Sequence, residues 1–191
     1  LAFNALPGAV VPVSLPAFTF FDGTLRGTSD PTFGFASDTT AGLATRIAVD
    51  QQGSNRFPFS NSLAPGGLTA QEVQTILTQG IQTAYSLRAA IREPQDSFVQ
   101  VNIFVVDVDG SILGYLGTPD APVFGFDVSA QKARAAAFFS ARNAGSDLRA
   151  ARTTTTVPLG SFVDRAQQDG IAFDGSIAFS NRAVGFIHRP F

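Results

Sequence analysis

The stretch VNIFVVDVDGSILGYLGTPDAP, residues 101–122, decides the reading of this chain. Residues 98–106 are a nearly continuous run rich in β-branched side chains, which suits a central strand covered on both faces. Asp109-Gly110 then supplies the positive φ angles that a tight turn needs, and a second apolar run, SILGYLG, follows at once. The spacing predicts a β-hairpin. Asp107 and Asp109 flank Val108 at its tip. Paired carboxylates can hold calcium, but an EF-hand loop needs more oxygen ligands and a glutamate at its twelfth position, so these two read as turn residues. Asp120 and Asp169 read the same way.

Helical patterns lie on either side. In LTAQEVQTILTQGIQTAYSLRAAIREP, Thr69 and Glu72 have the T-x-x-E spacing of a capping box, in which each side chain satisfies a backbone N–H of the first turn. Val73, Ile76, Leu77, Gly80, Ile81, Ala84, Leu87 and Ile91 recur at three- and four-residue spacing, and Pro94 ends the pattern. After the hairpin, DAPVFGFDVSAQKARAAAFFS predicts a helix over about residues 126–139. Val128, Lys132, Ala135 and Phe139 share a stripe of it, which places the single lysine of the chain on or beside the apolar face. An Ala/Arg-rich tail, the polar run RTTTTVPLG, a short helical segment SFVDRAQQDG and a strand-like IAFDGSIAFSNRAVGFIHRPF complete the chain.

Residues 1–65 are rich in Gly, Pro, Ser, Thr and Phe, with turn signals at Asp22-Gly23, Ser29-Asp30-Pro31 and Pro65-Gly66-Gly67. They read as an extended arm with one or two short strands, including a hairpin around Asp22-Gly23. The domains expected are an arm over 1–66 and a compact domain over 67–191. The eight phenylalanines of the first 65 residues call for cover by the following domain or a neighbouring subunit.

Composition narrows the function classes. A chain of 191 residues with 45% apolar and 15% charged residues can bury a sizeable core. A net charge of −2 with scattered arginines gives no basic stripe for a phosphate backbone, so no nucleic-acid partner is expected. The absence of cysteine removes disulfides, thiolate zinc sites, iron–sulfur ligation and covalent haem attachment. No apolar run reaches the length of a membrane span. The chain starts at Leu1, which a cleaved secretory signal or a trimmed chain would each explain. The expected location is the periplasm or the outside of the cell, with the cytoplasm as the alternative. P-loop, G-x-G-x-x-G, G-x-S-x-G and H-E-x-x-H motifs are missing.

Four pieces together resemble the GlcG/HbpS-like haem-binding protein family, in its longer branch with an N-terminal arm. They are LTAQEVQTILTQGIQTA, VNIFVVDVDGSILGYLGTPDAP, FGFDVSAQKARAAAFF and FSNRAVGFIHRPF. The resemblance covers about residues 67–191, and the hairpin followed by D-V-S-x-Q-K-A-R is its most specific part. It implies a profilin-like α/β fold with an antiparallel sheet of about five strands flanked by helices. It also implies homo-oligomers and, in some members, binding of haem or a related tetrapyrrole. The family pattern continues past R-P-F into a glycine-rich segment that supplies the last strands, whereas this chain ends at Phe191. A second chain completing the sheet is therefore expected as a partner. His188 departs from the family pattern, which has an aliphatic or small residue there.

The candidate site residues follow from both lines. Lys132 is the candidate charge for a haem propionate or a substrate carboxylate, and would be the acid/base group if the chain is an enzyme; snorkelling to water or to Asp127 is its structural alternative. Phe124 and Phe126 are the candidate apolar walls of a pocket between the 126–139 helix and the 98–106 strand. Asp127, with Ser129 and Gln131, sits where helix capping or a ligand's anionic group is expected. His188, the sole histidine, is the candidate axial haem ligand, with Tyr85, Tyr115, Lys132 or water as the others. Arg134 and Arg182 are expected in ion pairs, Arg134 with Asp127 or Asp120. The function expected is an oligomeric small-molecule binder, with haem or a related tetrapyrrole as ligand. The alternatives are an enzyme acting on a small aromatic or carboxylated metabolite, and a structural assembly subunit.

Overall fold

In a computed structural model of the chain, residues 34–150 and 159–180 are described below. The element order is β1 (Gly34–Thr40), β2 (Leu43–Val49), α1 (Ala70–Ser86), β3 (Asn102–Val106), β4 (Ile112–Gly117), α2 (Phe124–Phe139), α3 (Ala144–Ala150) and α4 (Gly160–Gln168). This is an α/β chain with a four-stranded antiparallel sheet in the order β1-β2-β4-β3. It divides into two units. One takes residues 34–107 and 112–130, and the other takes 108–111, 131–150 and 159–180.

The predicted hairpin is β3–β4, with Phe104 opposite Tyr115, Asn102 opposite Gly117, and a bulge between Val105 and Val106. Asp109 makes the turn as expected: its Oδ1 accepts from Ser111 N at 2.8 Å and from Ser111 Oγ at 2.6 Å, while Gly110 takes φ 83°. Among the described residues β3 stands at the end of the order, and the central places go to β2 and β4. Its near-continuous apolar run has another cause. Ile103 and Val105 face α1, while Phe104 packs on the opposite face beside Phe126 of α2, so both faces are covered.

The other hairpin lies in the segment read as an arm. Ala41 and Gly42 take φ 51° and 77°, the positive pair of a two-residue turn, and join β1 to β2 over seven opposed residue pairs. β2 then joins β4 at Arg46 and Gly117. The Asp22-Gly23 hairpin lies outside the described residues.

Helix α1 has the predicted capping box: Glu72 N donates to Thr69 Oγ1, and Thr69 N donates to a Glu72 carboxylate oxygen at 2.8 Å. These bonds hold the Glu72 carboxyl below its usual range. Val73, Leu77 and Ile81 of α1 pack on Leu113 and Leu116 of β4. The helix ends at Ser86, well before Pro94. Residues 87–89 turn extended and pair with 97–99, through Val99 N to Leu87 O at 3.0 Å and Ala89 N to Ser97 O at 2.7 Å. Tyr85 stacks on Phe98 at 3.9 Å. Leu87 and Ile91 are therefore exposed rather than part of the apolar face.

In the second unit, Phe138, Ala144, Leu148, Val163, Ala166, Phe173 and Phe179 form a separate core. α4 matches the predicted short helical segment. Residues 171–180, read as strand-like, form none: Gly145 N donates to Phe173 O at 2.8 Å and Phe179 N to Ser140 Oγ at 2.8 Å, so these backbone groups bind helices and not a ladder. Residues 181–191, with Arg182, His188 and the R-P-F motif, lie outside the described residues. No helix among the described residues is long and apolar enough to cross a membrane.

Candidate functional site

Alternation along the strands sorts their side chains. Residues 44, 46 and 48 of β2, 102 and 104 of β3, and 115 and 117 of β4 point away from α1. On that face Tyr115, Phe104 and Phe126 meet with ring centroids 4.7 to 4.9 Å apart. Phe35 reaches Phe126 at 5.3 Å, and Phe57 reaches Phe104 at 6.1 Å. Tyr115 and Phe126 are fully buried.

Into this aromatic layer β2 inserts a guanidinium. Arg46 is 8% exposed. Its Nη2 donates to Asn102 Oδ1 at 3.0 Å and its Nε to Tyr115 Oη at 3.3 Å, while the Phe35 ring lies 4.0 Å from its Cζ. The Tyr115 hydroxyl donates in turn to Asn102 Oδ1 at 2.8 Å. Asn102 is fixed from behind: its Nδ2 donates to Pro122 O at 2.9 Å, and Ser129 Oγ donates to its carbonyl at 2.7 Å. Gly117, opposite Arg46 in the ladder, makes the network sterically feasible. A Cβ there would lie 2.4 Å from Tyr115 Oη and 3.0 Å from Arg46 Cγ.

The electrostatics are unusual for a buried arginine. Arg88, Arg92, Arg149 and Arg165, all more exposed, each meet a carboxylate, from Asp96, Asp120, Asp164 and Asp169 respectively. Arg46 meets none among the described residues and is held by neutral acceptors and a ring face. Burying a cation costs several kcal/mol even after relaxation, and an amide oxygen offsets less of that than a carboxylate. Nη1 has no acceptor there. Every fully buried side-chain nitrogen and oxygen among the described residues has a partner, so Nη1, which has none there, is not fully buried. Burial pushes the Tyr115 phenol up to about 12, against the opposing pull of Arg46, so the phenol stays neutral beside the guanidinium.

The residues singled out from sequence are placed differently. Lys132 is exposed; the buried row of α2 is Phe126, Ala130, Arg134 and Phe138, out of step with the expected stripe. Phe124 is 62% exposed and forms no wall, whereas Phe126 fills the layer itself. Asp127 is half-buried in the first turn of α2. Ser129 binds β3 rather than capping. Asp120 pairs with Arg92, and the Nε of buried Arg134 donates to Gly110 O at 2.7 Å, so the Asp120 partnership expected for Arg134 is taken by another residue. Asp107 accepts from Ser62 Oγ at 2.8 Å and Leu63 N at 3.1 Å, tying the 60–64 segment to the hairpin as well as flanking its turn. Tyr85 donates to Ala44 O at 2.7 Å.

The gap between α2 and β3 therefore does not fit a macrocycle: Phe104, Tyr115 and Phe126 fill it ring to ring. No group of His, Asp or Glu among the described residues could hold a metal ion. Arg46, Asn102 and Gly117 were missed in the sequence reading. Their signal was an arginine inside the alternating strand LATRIAV, where a solvated charge has no natural place. Comparison with protein-family models, with curated proteins and with solved structures gives no match for this chain.

Proposed function

We propose that the chain is a small-molecule-binding protein, working as a homo-oligomer, whose ligand carries an acidic group received by Arg46. One observation carries this reading: an arginine only 8% exposed whose guanidinium bonds to neutral acceptors, with no carboxylate against it among the described residues. An incoming anion supplies the missing countercharge in a poorly hydrated setting, where a charge-assisted bond is about twice as strong as a neutral one. The aromatic layer fixes the guanidinium before the ligand arrives, so little ordering cost falls on binding.

Haem carries such acidic groups in its two propionates and, given the GlcG/HbpS resemblance, is the first compound to titrate, its macrocycle lying outside the gap that Phe104, Tyr115 and Phe126 fill. The enzymatic alternative loses its support at Lys132, which is exposed and lies in no closed cavity.

A thermal-shift series of carboxylic acids against their primary amides tests the reading, with a haem titration followed at the Soret band alongside. At 100 times its Kd a ligand stabilises by about 2.7 kcal/mol, which raises the Tm by several degrees. Acids should raise the Tm and the amides should not, and Arg46→Gln should abolish the difference. Equal responses to acid and amide would refute it. An unchanged Soret band removes the tetrapyrrole alone.

A further inference from the structure

Three features of the layer bear on what kind of anion it takes. Among the described residues Arg46 is the one formal charge in it: Tyr115 and Asn102 are neutral, and the other neighbours are phenyl rings. Arg56, the nearest cation along the chain, has its guanidinium 6.0 Å from the Phe57 ring centroid and donates to neither Asn102 nor Tyr115. Second, Nε and one N–H of Nη2 are already committed, so a ligand is met by the remaining N–H groups of Nη1 and Nη2. Third, the Nε edge is closely packed: a Cβ at Gly117 would lie 2.4 Å from Tyr115 Oη and 3.1 Å from Arg46 Nε.

Charge arithmetic then discriminates. Moving an ion out of water costs in proportion to the square of its charge, whereas its attraction to one fixed cation grows only in proportion to the charge. A dianion thus loses about four times the hydration of a monoanion of equal size and gains about twice the attraction. A tetrahedral dianion would also hold oxygens against phenyl rings with nothing to donate to them. A carboxylate carries one charge on two coplanar oxygens, which the remaining N–H groups of Nη1 and Nη2 can meet.

Resting on the reading of Arg46 as the receiver of an acidic group, we propose that the site is selective for a monocarboxylate and discriminates against dianions. The test is an NMR titration of the full chain with arginine side chains labelled, the Arg46 guanidinium signals being those lost in Arg46→Lys. Acetate and benzoate are compared with sulfate at matched ionic strength. Saturable shifts of the Arg46 signals, with a Kd for the carboxylates at least about tenfold below that for sulfate, are expected. Sulfate binding as tightly as the carboxylates would overturn the selectivity while leaving an anion site at Arg46. If no anion shifts these signals saturably, both the selectivity and the function proposed above are wrong. The comparison between anions uses the unsubstituted chain, so a poorly folding Arg46→Lys variant does not blunt it; assignment then passes to Tyr115→Phe, which removes the acceptor of Nε and shifts the same signals.

Discussion

Gly117→Ala puts a methyl group where the structure has none to spare. The new Cβ would stand 2.4 Å from Tyr115 Oη, 3.0 Å from Arg46 Cγ and 3.1 Å from Arg46 Nε, and Tyr115 is fully buried with rings on several sides. The phenol has to move, and moving it breaks its bonds with Asn102 and Arg46. Overpacking of this kind costs about 1.5 kcal/mol, and a lost hydrogen bond at a charged group about 1.5 kcal/mol more. A loss of about 3 kcal/mol is therefore expected, out of a total of roughly 5–15 kcal/mol for a small domain. With a urea m-value of about 2 kcal/mol per molar, the midpoint falls by about 1.5 M. Tyrosine fluorescence is the right probe: the chain has no tryptophan, and both tyrosines, Tyr85 and Tyr115, lie in the unit that holds the sheet. The cycle with Tyr115→Phe isolates the clash. Removing the hydroxyl opens the space the methyl needs, so Gly117→Ala should cost at least about 1 kcal/mol less in that background. A single variant within about 0.5 kcal/mol of the parent, or the same cost in both backgrounds, would refute the account of why glycine stands there.

Two further outcomes follow from the same layer. The phenol of Tyr115 is raised to about 12 by burial, above its ordinary value near 10, so the folded chain keeps a proton that the unfolded chain gives up. Its contribution is fully present below about pH 10 and is lost as pH climbs to 12, roughly 2–3 kcal/mol in all; absorbance at the tyrosinate band should show Tyr115 ionising near pH 12, well above a free tyrosine. Phe126→Ala, at a fully buried ring touching three others within 5.3 Å, should cost about 3–5 kcal/mol in urea melts. Lys132→Ala, at an exposed position, should stay within about 0.5 kcal/mol.

Much of the fold was legible because local chemistry and tertiary packing agree. Thr69 and Glu72 cap α1 as their spacing demands, and Asp109-Gly110 turns the β3–β4 hairpin. Where legibility failed, a nonlocal contact or an ambiguous residue decided the outcome. Ala41 gives no sign of the positive φ it adopts, so the β1–β2 hairpin was hidden inside a low-periodicity stretch. The apolar spacing of α1 runs on through Leu87 and Ile91, but pairing with residues 97–99 captures the backbone first. In α2 ten of the sixteen positions are Ala, Phe or Val, so several stripes look apolar and periodicity does not select one. Counting from Lys132 chose the wrong one. Phe126 and Arg134, at i and i+8, are the buried ones, because Phe126 has Phe104 and Tyr115 to meet and Arg134 has the Gly110 carbonyl.

The contrast between Lys132 and Arg46 bears directly on where chemistry can reside. A lysine on a helix flank can reach water by bending its stem, so its presence among apolar neighbours demands nothing of them. An arginine in the middle of a strand has no such freedom: its backbone is fixed by ladders on both sides, Ser37 of β1 on one and Gly117 of β4 on the other. Its charge must be met where the strand puts it. Among the described residues an amide, a phenol and a ring face meet it, which suffice for orientation but carry no countercharge. A sequence selected only for stability would place an apolar side chain or an acid partner there, since either is cheaper than a lone buried cation. The neutral cradle is what a site for an incoming anion requires, because a resident carboxylate would compete with the ligand for the same nitrogen.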